Sequence, residues 1–477
     1  MATPMESLAL ATDSDDVVFL MVPFPAQSHL NQLLRLSHLI RSRGFPVHYA
    51  ATAVHCRQAK LRHENDTLLL NTSGITFHEL PTPPFNSPPP SEPYSFVKFP
   101  QHLWPSFEAS LNLRQPVAAL LRELSSSSSV DTTTTRTRRL VVIHDYMMSY
   151  VVQDVASVPN AESYSFDCGS TFCNFSLTCQ FSGKPFPVAQ LEPEAIPTLD
   201  NCTIPEFTKL FVIQTQFNHL SHGKLFNTCR PIEVPYLDLL ADAAVDNNNN
   251  NKQWAIAPTP LLPAVTANHH PTLEWLDKQP PRSVIYVSFG SLTTMSQQQV
   301  NELALGLEES KQRFLWVLRD ADRVDIFNAE STILQLPEGF EERVKGLGKV
   351  TRDWAPQLGI LRHPSVGGFM SHCGWNSCLE SLTMGVPLAT WPMHSDQPYN
   401  ALLITHILKV GVPVIGWGER DELVTSSAIK KSIESLMASS DEGHAVRTRA
   451  EELSKVIKQS AEDNDNELDS FLAYAAR

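Results

Sequence analysis

Apolar residues in this chain come in short, nearly continuous runs, each followed by a stretch with helical spacing; that alternation predicts parallel strands covered by helices. Val17–Val22 reads as the first strand, Pro23–Gln32 as the loop that leaves it, and Leu33–Arg43 as a helix with Leu33, Leu36, Leu39 and Ile40 on one side. Gly44 stops that helix, and Pro46–Ala51 reads as the next strand, completing a strand–helix–strand unit. Leu140–His144 is a further apolar strand. The pattern restarts in the second half, where Ser283–Phe289, Arg313–Arg319, Ser365–Cys373 and Val386–Met393 read as strands, and Trp375–Met384 as a helix closed by Gly385. Ser296 and Gln299 have the spacing of a capping box, Met295 that of a staple on Val300, and Val300, Leu303, Ala304 and Leu307 make the buried face of the helix that follows.

Polar and proline-rich stretches break this pattern. Pro81–Pro93, Ser125–Ser129, Thr132–Thr135 and Asn247–Asn251 read as surface loops, and Ala257–Pro263 as a linker. A chain of 477 residues can bury two cores. The expected division is residues 1–250, a linker at 251–264, and a second Rossmann-like unit from 265.

Composition narrows the function classes. Lys plus Arg number 37 and Asp plus Glu 51, a net charge of −14 that repels nucleic acid and anionic membrane. The N-terminus has no basic segment followed by a continuous apolar one, and no window reaches the roughly 18 apolar residues of a membrane span, so a cytoplasmic protein is expected. Cys56, Cys168, Cys173, Cys179, Cys202, Cys229, Cys373 and Cys378 show no paired CxxC spacing and read as reduced, mostly buried thiols. Asn65, Asn71, Asn174 and Asn201 head N-x-S/T triplets, which without a secretory signal are chance matches.

The candidate chemistry lies where strands end. His372 to Ser377 joins a strand end to a helix start, where free backbone N–H groups and the helix dipole suit a diphosphate. His372, Asn376 and Ser377 can add hydrogen bonds, and Gly290 and Ser291, after another strand, a further N–H and a hydroxyl. Glu380 shares a helix face with Asn376 and Ser377, and its carboxylate can accept both hydroxyls of a ribose diol. Trp354 offers a flat face for a base, Gln357 a donor and an acceptor for its edge, and Asp396 with Gln397 can bind sugar hydroxyls. In the first half, His29 follows the first strand and Asp145 follows Leu140–His144, so both reach one edge of the sheet, where a histidine can serve as general base and a carboxylate can orient it. His38 reads as structural; His144 is a rival base, but strand alternation points it away from Asp145.

The 44 residues from Trp354 to Gln397, WAPQLGILRHPSVGGFMSHCGWNSCLESLTMGVPLATWPMHSDQ, resemble the signature box of plant UDP-dependent glycosyltransferases in length, order and spacing. PVHYAATAVHCRQAKLR, RPIEVPYLDLL and FLWVLRDADRVDIF extend the likeness to most of the chain and bring it nearest to the zeatin O-glucosyltransferase subgroup. The resemblance implies an α/β chain with the GT-B fold, two facing Rossmann-like lobes. Residues 1–250 would hold the acceptor, 265–455 would hold the UDP-sugar, and 456–477 would form a helix that packs back on the first lobe. It implies Ala355, Gly374 and Trp375 as further donor contacts, metal-independent transfer with inversion, and a monomer that needs no cofactor besides UDP-glucose as co-substrate. The His29 loop departs from the family, reading SHLNQ where many members have GHxNP, so Ser28 and Gln32 differ. Gln397 resembles glucose users, with xylose open. The acceptor, a cytokinin such as zeatin or a flavonoid or other phenolic, stays open, as does attachment to oxygen or carbon. Three other readings compete: a silent UDP-sugar-binding protein, a metal-dependent transferase using Asp13–Asp15, Asp320–Asp322 or Asp463–Asp465, and a dehydrogenase, for which no G-x-G-x-x-G follows the first strand.

Overall fold

A computed structural model describes residues 17–64, 74–86, 88–89, 99–126, 139–189, 191–246, 252–257, 270–319, 321–322, 334–437 and 441–477. The Thr132–Thr135 and Asn247–Asn251 runs, Asp13–Asp15, Asp320, most of the 257–263 linker and parts of the Pro81–Pro93 and Ser125–Ser129 loops lie outside these residues. Among the described residues no helix is long and apolar enough to cross a membrane.

Two parallel sheets organise the chain. The first contains β1 (Val17–Val22), β2 (Val47–Thr52), β3 (Ile75–Leu80), β4 (Arg139–Asp145), β5 (Ala161–Asp167), β6 (Gly223–Phe226) and β7 (Lys252–Ala255), in the order β3-β2-β1-β4-β5-β6-β7. The second contains β8 (Val284–Ser288), β9 (Arg313–Val317), β10 (Gly348–Thr351), β11 (Val366–Ser371), β12 (Leu388–Thr390) and β13 (Gly411–Pro413), in the order β10-β9-β8-β11-β12-β13. Every residue of β1 and of β11 is buried, as strands covered by helices on both faces require. Each sheet reverses its strand order once, between β1 and β4 and between β8 and β11, and at such a reversal the outgoing loops diverge and leave a crevice at the carboxyl ends.

The structure revises four readings. The first helix spans Gln27–Ser42, so His29 stands in its first turn and not in a loop. Ala26 caps it with extended backbone (φ −121°, ψ 140°) and a carbonyl that accepts from the N–H groups of His29 and Leu30, both at 2.9 Å; no side chain caps it, so the usual sequence signal is missing. Lys252–Ala255 is not linker but the edge strand β7, paired in parallel with β6. Gln299 does not close a capping box. Ser296 accepts from its N–H at 3.1 Å, but its amide instead holds Val424, donating to the carbonyl at 2.9 Å and accepting from the N–H at 3.1 Å. The helix Asp441–Gln459 still belongs to the second lobe, where the Ser454 hydroxyl donates to the Thr383 carbonyl at 2.7 Å.

The chain returns to the first lobe at the helix Ala461–Ala475, later than residue 456. Leu468, Phe471, Leu472 and Ala475 join the core that contains Phe19, Tyr164 and Trp254, and the Phe471 ring lies 5.2 Å from both Tyr164 and Trp254. Arg43 pairs with Asp465 at 2.9 Å and Asp469 at 3.1 Å on the outside of this contact.

Candidate active site

Because β1 and β4 are neighbours with Val22 opposite His144, residues just past each strand must meet although they are far apart in sequence. His29 Nδ1 lies 2.7 Å from Oδ2 of Asp145, while Oδ1 of Asp145 accepts from the Met147 N–H at 2.9 Å. An ionised carboxylate can only accept, so Nδ1 carries the proton and Nε2 is left with its lone pair, the tautomer a general base needs. Burial acts to lower the proton affinity of the imidazole, but Asp145, Asp396 and Asp167 outweigh it and hold His29 above the ordinary 6.5. His144 points to the other face, with Nδ1 on the Asp145 carbonyl at 2.9 Å and Nε2 on the Ser221 hydroxyl at 3.1 Å, and burial pushes it down to about 4. Next to β4, the Cys168 thiol just past β5 lies 3.4 Å from Oδ2 of Asp145.

The second reversal presents the turn after β11. Cys373 takes left-handed backbone (φ 64°) and Gly374 caps the helix Trp375–Met384, which turns the first helical N–H groups into the cleft. The His372 ring sits between two glycines: a Cβ on Gly290 (φ 75°) or on Gly374 would lie 2.6 Å from its Nε2. Burial pushes His372 down to about 4, so it is neutral, and its buried Nδ1 has no partner among the described residues. A buried nitrogen in this state beside the first N–H groups of a helix suits contact with an anionic ligand.

Further along, Nε2 of Gln357 donates to Oε2 of Glu380 at 2.9 Å and to the Ser377 hydroxyl at 3.0 Å, and Tyr286 reaches Gln357 Oε1 at 3.4 Å. Asn376 accepts from Asn227 at 3.1 Å and donates to the Ser28 carbonyl at 3.4 Å, linking the lobes beside His29. Burial raises the Asp396 carboxyl, whose Oδ2 accepts from Asn400 at 2.8 Å. Oε1 of Gln397 accepts from the N–H groups of Met393 (2.9 Å) and His394 (3.1 Å), and its amide nitrogen lies 3.5 Å from each ring nitrogen of His394.

One cleft of about 1120 Å³ between the lobes is lined by all the sites chosen from sequence: His29 and Asp145 on one wall, and Gly290, Ser291, Trp354, Ala355, Gln357, His372, Gly374, Trp375, Asn376, Ser377, Glu380, Asp396 and Gln397 on the other. Trp375 differs in role from its neighbours. It is only 3% exposed and its indole N–H donates to the Asn227 carbonyl at 2.6 Å, so its side chain is committed to packing and its contribution is the backbone. Sequence reasoning missed Arg35, which crosses between lobes to Oε1 of Glu380 at 3.3 Å, and the aromatic wall beside His29. In that wall Phe24 stands 4.7 Å from Phe107 and 5.5 Å from the His29 ring, and Phe99 stands 5.0 Å from Phe207. Phe24, in the loop after β1, carried a positional signal; Arg35 and the others have none, because only the packed lobes bring them there. Of the acidic triplets, Asp322 is paired with Arg319 at 2.8 Å and Asp465 with Arg43 at 2.9 Å.

Comparison with known proteins shows the family and the fold. Residues 15–261 match the family described as "Glycosyltransferase, N-terminal domain", and residues 252–437 the family "UDP-glucoronosyl and UDP-glucosyl transferase". The chain is 47% identical to a zeatin O-glucosyltransferase of Phaseolus lunatus over 469 residues, 97% of each chain. It is 47% identical to a zeatin O-xylosyltransferase of Phaseolus vulgaris over 473 residues, 98% of this chain and 99% of the relative. Among solved structures, a UGT of Siraitia grosvenorii in complex with UDP superposes with a TM-score of 0.74 at 27% identity, covering 97% of this chain and all of that one. Phytolacca americana UGT2, complexed with UDP-2-fluoro-glucose and pterostilbene, gives 0.72 at 25%, covering 96% of this chain and all of that one.

Proposed function

Because this chain belongs to the UDP-glucosyl transferase family, we propose that it moves glucose from UDP-glucose to a hydroxyl of a cytokinin-type acceptor, with His29 as general base. It is a UDP-sugar-dependent glycosyltransferase of small plant acceptors, and its two facing lobes are the GT-B arrangement. The observation that carries the mechanism is the 2.7 Å His29–Asp145 pair on the wall opposite the helix start at Gly374.

In this mechanism the acceptor hydroxyl gives its proton to Nε2 of His29 as its oxygen attacks the anomeric carbon. The bond from that carbon to the diphosphate breaks, and its electron pair leaves with UDP. Asp145 stabilises the imidazolium that forms, while the N–H groups at the start of the Trp375–Met384 helix stabilise the charge on the leaving phosphate. A single displacement inverts the anomeric centre, so an α-linked donor gives a β-glucoside. No step calls for a metal ion.

Gln357, Glu380 and Trp354 suit the uridine, and Asp396 with Gln397 suits the sugar. The names of the two Phaseolus relatives support a zeatin-like acceptor. The aromatic wall of Phe24, Phe99, Phe107 and Phe207 supports a planar one, and extends the reading to flavonoids. The xylosyltransferase relative favours a second reading in which the donor is UDP-xylose. Eight free, buried cysteines suit the reducing cytoplasm as the place of action.

The test is to incubate the protein with UDP-glucose or UDP-xylose and a panel of zeatins and flavonoids, with and without EDTA, and to fragment the products by mass spectrometry. An EDTA-insensitive O-glucoside of zeatin is expected. UDP-glucose that binds but is transferred to no acceptor, or product only as a C-glycoside, rejects the mechanism.

A further inference from the structure

We propose that His29, Asp145 and Cys168 together form an inhibitory site for a soft divalent ion, Zn²⁺ or Cd²⁺, at the foot of the acceptor cleft. The three residues follow β1, β4 and β5, neighbours in one sheet, so their side chains converge from three adjacent strand ends. Their candidate ligand atoms all lie within 4.8 Å of one another, with Nδ1 2.7 Å and Sγ 3.4 Å from the shared carboxylate. Tetrahedral Zn²⁺ bonds of about 2.0–2.3 Å place ligand atoms roughly 3.3–3.7 Å apart, so the imidazole–carboxylate contact needs to open by only a fraction of an ångström.

The donor set is one nitrogen, one oxygen and one sulfur, the mixture Zn²⁺ takes, and it leaves a fourth coordination position for water. Thiolate and carboxylate together cancel the charge of the ion, and Asp167 and Asp396 lie near enough to make the pocket attractive to a cation. Both His29 and Cys168 line the cleft, which gives the ion a path in. Of the eight cysteines, Cys168 is the one whose thiol lies within 4.8 Å of both a histidine nitrogen and a carboxylate oxygen in such a cluster among the described residues.

Proton bookkeeping explains why occupation inhibits. The ion displaces the thiol proton of Cys168 to solvent, and by taking Nδ1 of His29 it moves the single proton of the neutral ring from Nδ1 to Nε2. The imidazole bound in this way has no lone pair on Nε2 for the acceptor hydroxyl. The inhibition therefore rests on His29 acting as the base, as proposed above; the binding does not. Donor binding, on the opposite wall, is untouched.

The experiment uses the full chain freed of metal with a chelator, titrated with Cd²⁺ and, separately, Zn²⁺ or Mg²⁺. Ultraviolet thiolate-to-Cd²⁺ absorption reports binding, UDP affinity is measured by calorimetry, and each variant's transfer rate is referred to its own metal-free rate. Expected are one thiolate bound per chain, full inhibition by Cd²⁺ and Zn²⁺ but not Mg²⁺, and unchanged UDP affinity. Cys168→Ser and Cys168→Ala should lose the absorption band and require about tenfold more metal for half inhibition, the typical effect of losing part of a metal site. A band that survives in both variants, or inhibition equal to that of the wild type, overturns the site. A band lost in both variants, in a wild type that Cd²⁺ does not inhibit, keeps the ion but rejects His29 as the base.

Discussion

His29 is 28% exposed at its side chain while Asp145 is 1% exposed, so the pair has one face toward a substrate and one anchored in the fold. Replacing His29 by Ala should lower kcat by about 10²–10⁴, the usual contribution of a general base, with UDP affinity unchanged by calorimetry. The base works only when neutral, so kcat/KM should fall as pH drops through the His29 pKa, with a midpoint above 6.5 because the three carboxylates favour the charged ring. Asp145→Asn removes the strongest of those carboxylates and the acceptor that fixes the tautomer. The acid limb of the profile should move to lower pH while the plateau rate falls; a pH profile with unmoved midpoint would reject Asp145 as the source of the shift. The histidine and the aspartate were legible as residues following apolar strands, whereas Cys168 and Asp167 beside them carried no pattern that separates them from any other loop residue.

At the scale of elements, two strand-to-helix turns form the proposed nucleotide wall, and glycine decides their shape. Gly290 combines a left-handed φ of 75° with the His372 ring at contact distance, so Gly290→Ala introduces backbone strain of about 1 kcal/mol and displaces the ring. The expected result is a UDP affinity lowered about tenfold with a melting temperature lowered by about 2–4 °C, read by UDP calorimetry beside thermal unfolding. Long, strongly apolar elements such as β1, β8, β11 and the helix Trp375–Met384 were readable because burial on both faces leaves a continuous run. The start of the helix at Gln27 was not, since Ala26 caps with backbone alone, and β7 was not, since KQWA is too short and polar to signal a strand without its neighbour.

At the scale of the molecule, the last helix closes the first lobe from the far end of the chain. Phe471 is fully buried against Phe19, Tyr164 and Trp254, and Phe471→Ala should cost about 3–5 kcal/mol. Denaturant unfolding should show that loss; a change below about 1 kcal/mol would mean the helix is a passive cover. Cross-lobe contacts meet at the cleft itself, through Asn376 to Ser28, Arg35 to Glu380 and the Phe99 ring 5.8 Å from His394. Moving one lobe therefore moves His29 relative to the wall that carries Gly374 and Glu380.

The order of apolar runs determined two doubly wound lobes, and the 44-residue string from Trp354 to Gln397 determined the proposed nucleotide wall, because residues close in sequence on one turn and one helix stay close in space. Tertiary structure alone decided the rest: that β4 lies between β1 and β5, that Arg35 meets Glu380 across the cleft, and that the chain's end completes its beginning. Those contacts join segments more than a hundred residues apart in sequence, where local periodicity carries no information about which surfaces bury each other.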